Sequence, residues 1–403
     1  MKKKLVTFVA AAFAVVVFVG MFSSCTKRED KLIIRNWGEY MDPEIYEGFE
    51  DWYKDQTGKT VKVDYDEFST NEDMYTQITV SNADYDLVCP SDYMAERMIE
   101  NGYAMKIDTE IFDIGQEGLF YDGLMDMATV VDPSNEYFVP YVWGTMGIMY
   151  NAEEVTGEDV ALMNSWEALW SEKFDGQILM KDSVRDSYSI AQIYNKRDQL
   201  RSAADYDVYG EQYQAVLDSI FSTANEQTIA EAKASLLAQK PLLEKYEVDD
   251  GKESMLSGQT DAVLGLFWSC DAGYIMIEEG GQKFMYVVPE EGSNVWVDGW
   301  IIPSGAKNPE AANWFLKYIC QADVAKQNMD WLGTSVAVKA AMDAAKVELQ
   351  EEIFDGAVEG FKEMYLEMVF PSEQTLKRCK IMRDFGEDMS AALDEMWTEV
   401  RAE

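Results

Sequence analysis

Short apolar runs alternate along this chain with segments that carry apolar residues at helical spacing. Residues 32–34 form the first apolar run, and Ile45, Phe49 and Tyr53 then fall on one face of a predicted helix. The same pattern predicts strands at residues 61–65, 86–89, 178–180, 262–268, 284–288 and 295–302. Strands that alternate with helices are typical of an α/β fold with a mostly parallel sheet.

One predicted strand carries a charge that its pattern does not explain. Asp298 lies in the apolar run Val295–Trp300, two residues after Trp296. Burying an acid on a strand costs free energy unless a partner compensates its charge. Two interpretations remain open here: a strand-end acid that accepts hydrogen bonds, or a site for an organic cation, with Trp296 as an aromatic face and Asp298 as the counter-charge.

Composition narrows the possible functions. The net charge of −40 disfavours a nucleic-acid partner, because phosphates need Lys and Arg. Histidine is absent, which removes the Ser-His-Asp constellation and the usual zinc ligand. Carboxylate chemistry remains open, so a hydrolase that uses paired acids is a minor alternative. No cofactor or metal site is indicated, since the cysteines show no Cys-x-x-Cys pair.

The first 24 residues have the form of an export signal. Lysines at positions 2–4 precede an uncharged apolar run at residues 5–22, and Cys25 follows two serines. This pattern resembles a bacterial lipoprotein signal, in which Cys25 is lipidated and residues 25–30 form a tether. The alternative is an uncleaved membrane anchor, because the run is barely long enough to span a bilayer.

The length of 403 residues favours two lobes over a single core. Residues 138–150 are predicted as two strand pieces broken by Gly144 and Gly147, and this segment is a candidate crossing between lobes. Further crossings are expected at residues 289–294 and near Gly333. The predicted division assigns residues 31–142 and 295–333 to lobe I, and residues 143–294 and 334–403 to lobe II.

Turns at residues 36–40 and 90–93 follow predicted parallel strands, so their side chains should share one rim of the sheet. In order and spacing, these turns and several other segments resemble the periplasmic polyamine-binding proteins of ABC importers. The matching segments are Asn36–Tyr40, Tyr85–Val88, Pro90–Ser91, Pro140–Gly144, Trp166–Trp170, Trp296–Asp298 and Asp323–Gln327.

This resemblance implies a two-lobed periplasmic binding protein fold, each lobe a mostly parallel sheet flanked by helices, with the ligand in the cleft between lobes. The residues that match ligand-binding positions are Trp37, Glu39, Tyr40, Ser91, Tyr93, Asp186, Trp268, Asp271, Trp296 and Asp298. Asp92, Asp182, Ser183 and Thr334 are weaker candidates at or beside family positions. Gly38, Ser183, Thr334 and Met382 depart from the residue types usual in the family, which bears on ligand length and charge.

Other roles remain open for several of these residues. Trp268 and Trp296 could belong to the core, and Tyr40 and Tyr93 could line the cleft without touching a ligand. The remaining alternatives concern two acids: Asp186 could interact with a helix dipole, and Asp271 could cap the helix after its strand.

The predicted function is capture of a polyamine, putrescine or spermidine, and its delivery to a membrane permease by a lipid-anchored, exported protein without enzymatic activity. The main alternative is a binding protein of the same fold for a different small cation.

Overall fold

The computed structural model describes residues 28–248 and 250–403. The predicted export signal, Cys25 and half of the tether therefore lie outside the described residues. Across the described ranges, no helix combines the length and the apolar character that crossing a membrane requires.

The elements alternate as the sequence pattern predicts. The strands are β1 (Lys31–Asn36), β2 (Lys62–Glu67), β3 (Leu87–Val88), β4 (Ala104–Met105), β5 (Val139–Asn151), β6 (Ile178–Lys181), β7 (Leu243–Glu247), β8 (Leu264–Trp268), β9 (Phe284–Val287), β10 (Ser293–Trp300), β11 (Ile302–Pro303) and β12 (Cys379–Lys380). The helices are α1 (Pro43–Thr57), α2 (Asn71–Thr79), α3 (Asp92–Glu100), α4 (Leu124–Val131), α5 (Val184–Ser202), α6 (Glu211–Ser222), α7 (Glu226–Gln239), α8 (Asp250–Ser257), α9 (Ser269–Ile277), α10 (Pro309–Ile319), α11 (Ala322–Leu332), α12 (Lys339–Glu351), α13 (Phe361–Val369), α14 (Glu373–Lys377) and α15 (Glu387–Ala402).

The smaller sheet has the strand order β2-β1-β3 and is wholly parallel. Its central strand β1 buries alternate residues, including Leu32 and Ile34, as a strand with one covered face requires. Helix α1 then begins where the sequence predicts, with Pro43 in its first turn and Asp42 accepting a hydrogen bond from the Glu44 amide. This sheet therefore brings the carboxyl ends of β1 and β3 to one edge.

The larger sheet is mixed, which corrects the expectation of a mostly parallel sheet in each lobe. Its order is β12-β10-β5-β8-β6-β7, with β9 also paired to β5. Strand β5 runs antiparallel to β8, β9 and β10, whereas β6 is parallel to β7 and β8. All the antiparallel pairs of this sheet involve β5, whose thirteen residues pair with β10 in the first half and with β8 and β9 in the second.

Strand β5 is also continuous, so the predicted break at Gly144 and Gly147 is wrong. The two glycines make room for neighbouring side chains instead of ending a strand. A Cβ at Gly144 would lie 2.6 Å from the Trp296 ring, and one at Gly147 would lie 2.5 Å from the Tyr286 ring. Close approach of this kind is a common reason for glycine inside a strand.

Three chain segments run side by side where the two sheets meet. Strand β10 pairs with β5 along its length, and a further bridge joins Val142 to Val336. The smaller sheet reaches this region through a bridge between Val88 and Ile301. Residues 139–151 and the segment after Gly333, two of the crossings predicted from the sequence, thus lie beside β10, and the division into lobes stays a prediction.

Replacing Gly147 with alanine should destabilise the protein by about 1–3 kcal/mol, because the added methyl group overpacks the core against the Tyr286 ring and the Val287 carbonyl oxygen. The matched control is Gly305→Ala, where an added Cβ meets no atom within 4 Å. Urea unfolding of both variants tests this account. Equal stability of the two variants would show that Gly147 is not needed for close packing.

Candidate functional site

The candidate site lies where several strands end. The turn 37–40 follows β1, Ser91 follows β3, Asp186 lies in the first turn of α5 after β6, and Trp268 ends β8. Strand β10 contributes Trp296 and Asp298, which are two residues apart and therefore point to the same face. The topology thus brings residues from distant parts of the chain, and from both sheets, into one region.

Asp298 is the centre of this arrangement. The register between β5 and β10 shifts at Asp298 and Gly299, a bulge that can re-aim a side chain. The Tyr40 hydroxyl donates to Asp298 Oδ2 at 2.8 Å, and Ser91 forms an antiparallel β-bridge with Asp298. The Asp298 side chain is buried, with 8% of its residue surface exposed.

Burial raises the pKa of Asp298 from its ordinary value of 3.8 to about 7. Hydrogen bonds from Ser91 and Tyr40 favour the ionised form, and the nearby charge of Asp186 opposes it. Desolvation is the largest effect, so the two hydrogen bonds do not compensate for the lost water. Asp298 is therefore a carboxylate whose charge is incompletely neutralised inside the protein.

Asp186 faces the same space from the start of α5. The Trp268 indole Nε1 donates to Asp186 Oδ2 at 3.1 Å, and the Ser183 hydroxyl accepts from the Asp186 amide as the helix cap. Burial raises the pKa of Asp186, although Ser183, Trp268 and two nearby cations lower it in part. Two buried acids from opposite elements, Asp186 and Asp298, thus disfavour each other's charge.

Asp92 adds a third buried acid. Its oxygens accept from the backbone amides of Tyr93 at 2.7 Å and Val297 at 3.3 Å. Desolvation raises the pKa of Asp92 well above its ordinary value, and the charge of Asp298 raises it further. Asp92, Asp186 and Asp298 therefore form a cluster, named here the acid cluster, in which every pKa is raised.

Aromatic rings lie around the acid cluster. Trp296 is buried, and its Nε1 donates to the Thr145 carbonyl oxygen at 3.3 Å. Tyr93 is buried as well, and its hydroxyl donates to Glu72 Oε1 at 3.0 Å while it accepts from Asn71. Trp268 is only partly buried.

Trp37 and Glu39, in the turn that follows β1, have different surroundings. Trp37 packs edge-on against Phe68 with 4.6 Å between the ring centroids, and within the described chain its buried Nε1 has no hydrogen-bond partner. Glu39 is exposed and adopts a positive φ of 51°, so the turn presents its carboxylate to solvent. Gly38 sits between them, and a Cβ there would approach the Glu67 carboxylate to 3.3 Å.

Asp271 differs from the acid cluster because it is paired with two lysines of the protein. Lys181 Nζ lies 2.7 Å from Asp271 Oδ2, and Lys252 Nζ lies 2.8 Å from Asp271 Oδ1. Although burial alone would raise the pKa of Asp271, these two lysines hold it below its ordinary value. Each carboxylate oxygen of Asp271 is thus paired with one of the protein's own lysines, and its predicted contact with a ligand stays a prediction.

The weaker candidates also have identifiable neighbours. Asp182 pairs with Arg401 and accepts from Trp397 Nε1 at 3.2 Å, so it is tied to helix α15. Thr334 is buried directly after α11. Met382 accepts a hydrogen bond from Arg185 Nε through its sulfur at 3.1 Å.

Sequence reasoning missed two cations at the site. The Arg185 guanidinium lies 4.3 Å from the Tyr93 ring centroid and 4.0 Å from that of Phe385. Lys181 ends the apolar strand β6. A charge on a buried strand was the signal that identified Asp298, and it could have identified Lys181 in the same way.

In the part of the chain that the structure describes, no group of three or more Cys, Asp or Glu residues is arranged to hold a metal ion. The acid cluster combines negative charge with neighbouring aromatic rings, a combination that can hold a cation with apolar surface. An ammonium group can donate hydrogen bonds to the carboxylates, and the indole and phenol rings can cover the attached methylenes.

Asp298 should titrate near pH 7 in the ligand-free protein, because its burial outweighs its two hydrogen bonds. Carboxyl-carbon NMR measures this directly, with Asp298→Asn for assignment. Tyr40→Phe removes one donor and should raise the Asp298 pKa further. Asp271 is the internal control and should stay ionised below the usual aspartate range. A midpoint near 4 for Asp298 would contradict the described electrostatics.

The chain is similar to known proteins over most of its length. A spermidine/putrescine-binding periplasmic protein of Salmonella typhimurium is 26% identical over 95% of both chains. The solved spermidine/putrescine ABC transporter substrate-binding protein PotD of Streptococcus pneumoniae is 24% identical, with a TM-score of 0.67 over 93% of this chain and 99% of its own. The TpPotD lipoprotein of Treponema pallidum is 23% identical, with a TM-score of 0.69 over 93% and 100%.

These structural similarities confirm the predicted two-lobed α/β fold of periplasmic binding proteins. A family model described as bacterial extracellular solute-binding protein matches residues 49–354, which is most of the chain. The protein belongs to the family of bacterial extracellular solute-binding proteins.

Proposed function

We propose that this solute-binding protein captures a polyamine and delivers it to the permease of an ABC importer. The observation that carries the proposal is the acid cluster: Asp92, Asp186 and Asp298 are buried, and each has a raised pKa. Buried acids with a raised pKa favour the binding of a cation from solution, because the cation stabilises their ionised form. The relatives' names supply the ligand class, since they include spermidine and putrescine binding.

A polyamine fits the chemistry of the proposed site. An ammonium group would donate hydrogen bonds to Asp186 and Asp298, and the methylenes would pack against Trp268, Trp296 and Tyr93. Each hydrogen bond to a charged group contributes roughly 1.5–3 kcal/mol net. Two or three such bonds, together with buried methylenes, are sufficient for a micromolar dissociation constant. Trp37, Tyr40 and Ser91 would complete the site, and Asp271 is left out because lysines hold it.

Closure of the two lobes is the proposed signal to the permease. The division retained from the sequence assigns residues 31–142 with 295–333 to one lobe and residues 143–294 with 334–403 to the other. Under this division, two ion pairs would join the lobes: Glu96 with Arg383 and Arg97 with Asp384. A ligand that contacts both lobes stabilises the closed form by its difference in affinity for the two forms. No chemical step is part of this role.

Attachment to the membrane through a lipid on Cys25 is a separate part of the proposal. Its support is the charged start, the apolar run and the small residues before Cys25. Labelling with a radioactive fatty acid in a bacterial host tests it, and Cys25→Ala should abolish the label. Label retained by that variant would exclude Cys25 as the attachment point.

Putrescine, spermidine or spermine should raise the melting temperature of the purified protein, because a ligand that binds only the folded state stabilises it by RT ln(1 + [L]/Kd). A thermal-shift screen that also contains lysine, arginine and monovalent salts separates a polyamine from another small cation. Asp298→Asn should weaken binding of the best ligand about ten- to a hundred-fold, because it removes a charge and keeps the shape.

The matched control for that variant is Asp182→Asn, which changes an acid that is tied to Arg401 and Trp397. Its calorimetric affinity should stay within about threefold of the unmodified protein, on the order of 0.6 kcal/mol. Equal affinities for the two variants, or stabilisation by basic amino acids alone, would refute the proposed ligand site.

A further inference from the structure

Lys181 is a buried ammonium group at the edge of the candidate site. It is the last residue of β6, and only 1% of its surface is exposed. Its Nζ lies 2.7 Å from Asp271 Oδ2 and 2.9 Å from Glu247 Oε1, and it also donates to the Val248 carbonyl oxygen. A lysine so enclosed is held in one place, unlike the mobile lysines of a protein surface.

The same ammonium lies over an aromatic ring that the proposed ligand would use. Lys181 Nζ is 4.3 Å from the ring centroid of Trp268, within the range of a cation–π contact. Trp268 donates from Nε1 to Asp186, so the ring is fixed between the acid cluster and the lysine. The protein therefore already places one cation against this indole.

The charges around Lys181 are balanced. Lys181 and Lys252 carry two positive charges, and Glu247 and Asp271 carry two negative charges. Asp271 thus lacks the raised pKa found in the acid cluster. On the Asp271 side of Trp268, away from Asp186, an incoming ammonium would meet only an acid that already has two lysine partners, and Lys181 on the same ring would repel it.

We propose that Lys181 determines ligand specificity by acting as a built-in cation, closing the Trp268–Asp271 end of the site to a ligand ammonium. This inference rests on the proposed function. The ligand then holds one ammonium at Asp186 and Asp298, while its methylenes lie against the free part of Trp268. A diamine gains little from its second charge over a monoamine of equal length.

Putrescine and n-butylamine make the test direct, because both have four carbons and they differ in one amino group. In calorimetry, the unmodified protein should bind putrescine no more than about fivefold more tightly, including a statistical factor of about two for its equivalent ends. Lys181→Met should raise this preference at least tenfold, since it exposes the Asp271 carboxylate to the second ammonium.

Two further variants keep the test decisive. Lys252→Met also removes a cation from Asp271 but leaves Lys181 on Trp268, and the preference should stay within about threefold of the unmodified protein. Lys181→Met combined with Glu247→Gln preserves the local charge balance if the single variant unfolds on melting analysis. It should show the same increased preference.

The outcomes separate this inference from the proposed function. Binding of neither amine by the unmodified protein overturns both. Binding of putrescine with a preference clearly above about fivefold, or a preference unchanged by removal of Lys181, overturns only the role of Lys181. An equal increase in the Lys252→Met variant shows that total charge, and not the cation on Trp268, sets specificity.

Discussion

The cost of keeping a carboxylate on a buried strand governs the functional part of this structure. Asp298 receives a hydrogen bond from Tyr40 and support from Ser91, yet its pKa still rises to about 7 because water is excluded. The folded chain therefore holds a proton on Asp298 that the unfolded chain releases near its ordinary value of 3.8. By linkage, this group makes the folded state less stable as the pH rises through that interval. A bound cation would remove the penalty, which explains why such a group can be retained at a binding site.

Asp271 and Asp298 are both buried acids, and the protein compensates their charges to different extents. Asp271 is as buried as Asp298, but two lysines answer its charge and its pKa is lowered. In the acid cluster the compensating charge is incomplete, and for this reason the proposed cation site is placed there. The contrast between the two acids says more about function than the net charge of −40, because most of that charge belongs to solvated surface residues.

Periodicity and local signals were enough to predict much of the fold. The start of α1 followed from Asp42 and Pro43, and the strands around the site followed from short apolar runs. The continuity of β5 could not be predicted, because the glycines at 144 and 147 are explained only by rings that arrive from β9 and β10. The antiparallel pairs of the larger sheet likewise depend on which strands meet β5.

The candidate site was predictable to a similar extent. Asp298 and Trp296 stood out from their own strand, and the resemblance to a family added Asp186 and Trp268, which the fold brings to the same edge. The pairing of Asp271 was not predictable, since Lys181 precedes it by 90 residues and Lys252 by 19. Spacing along a chain carries no information about such contacts until the topology is known.

The central claim is that a ligand ammonium replaces the proton on Asp298. Calorimetric titration with putrescine at pH 7, in two buffers that differ in ionisation enthalpy, counts the protons exchanged on binding. The account predicts a net release of roughly half a proton per ligand from Asp298, lost in Asp298→Asn. Binding without proton release, or an equal release in that variant, would contradict it.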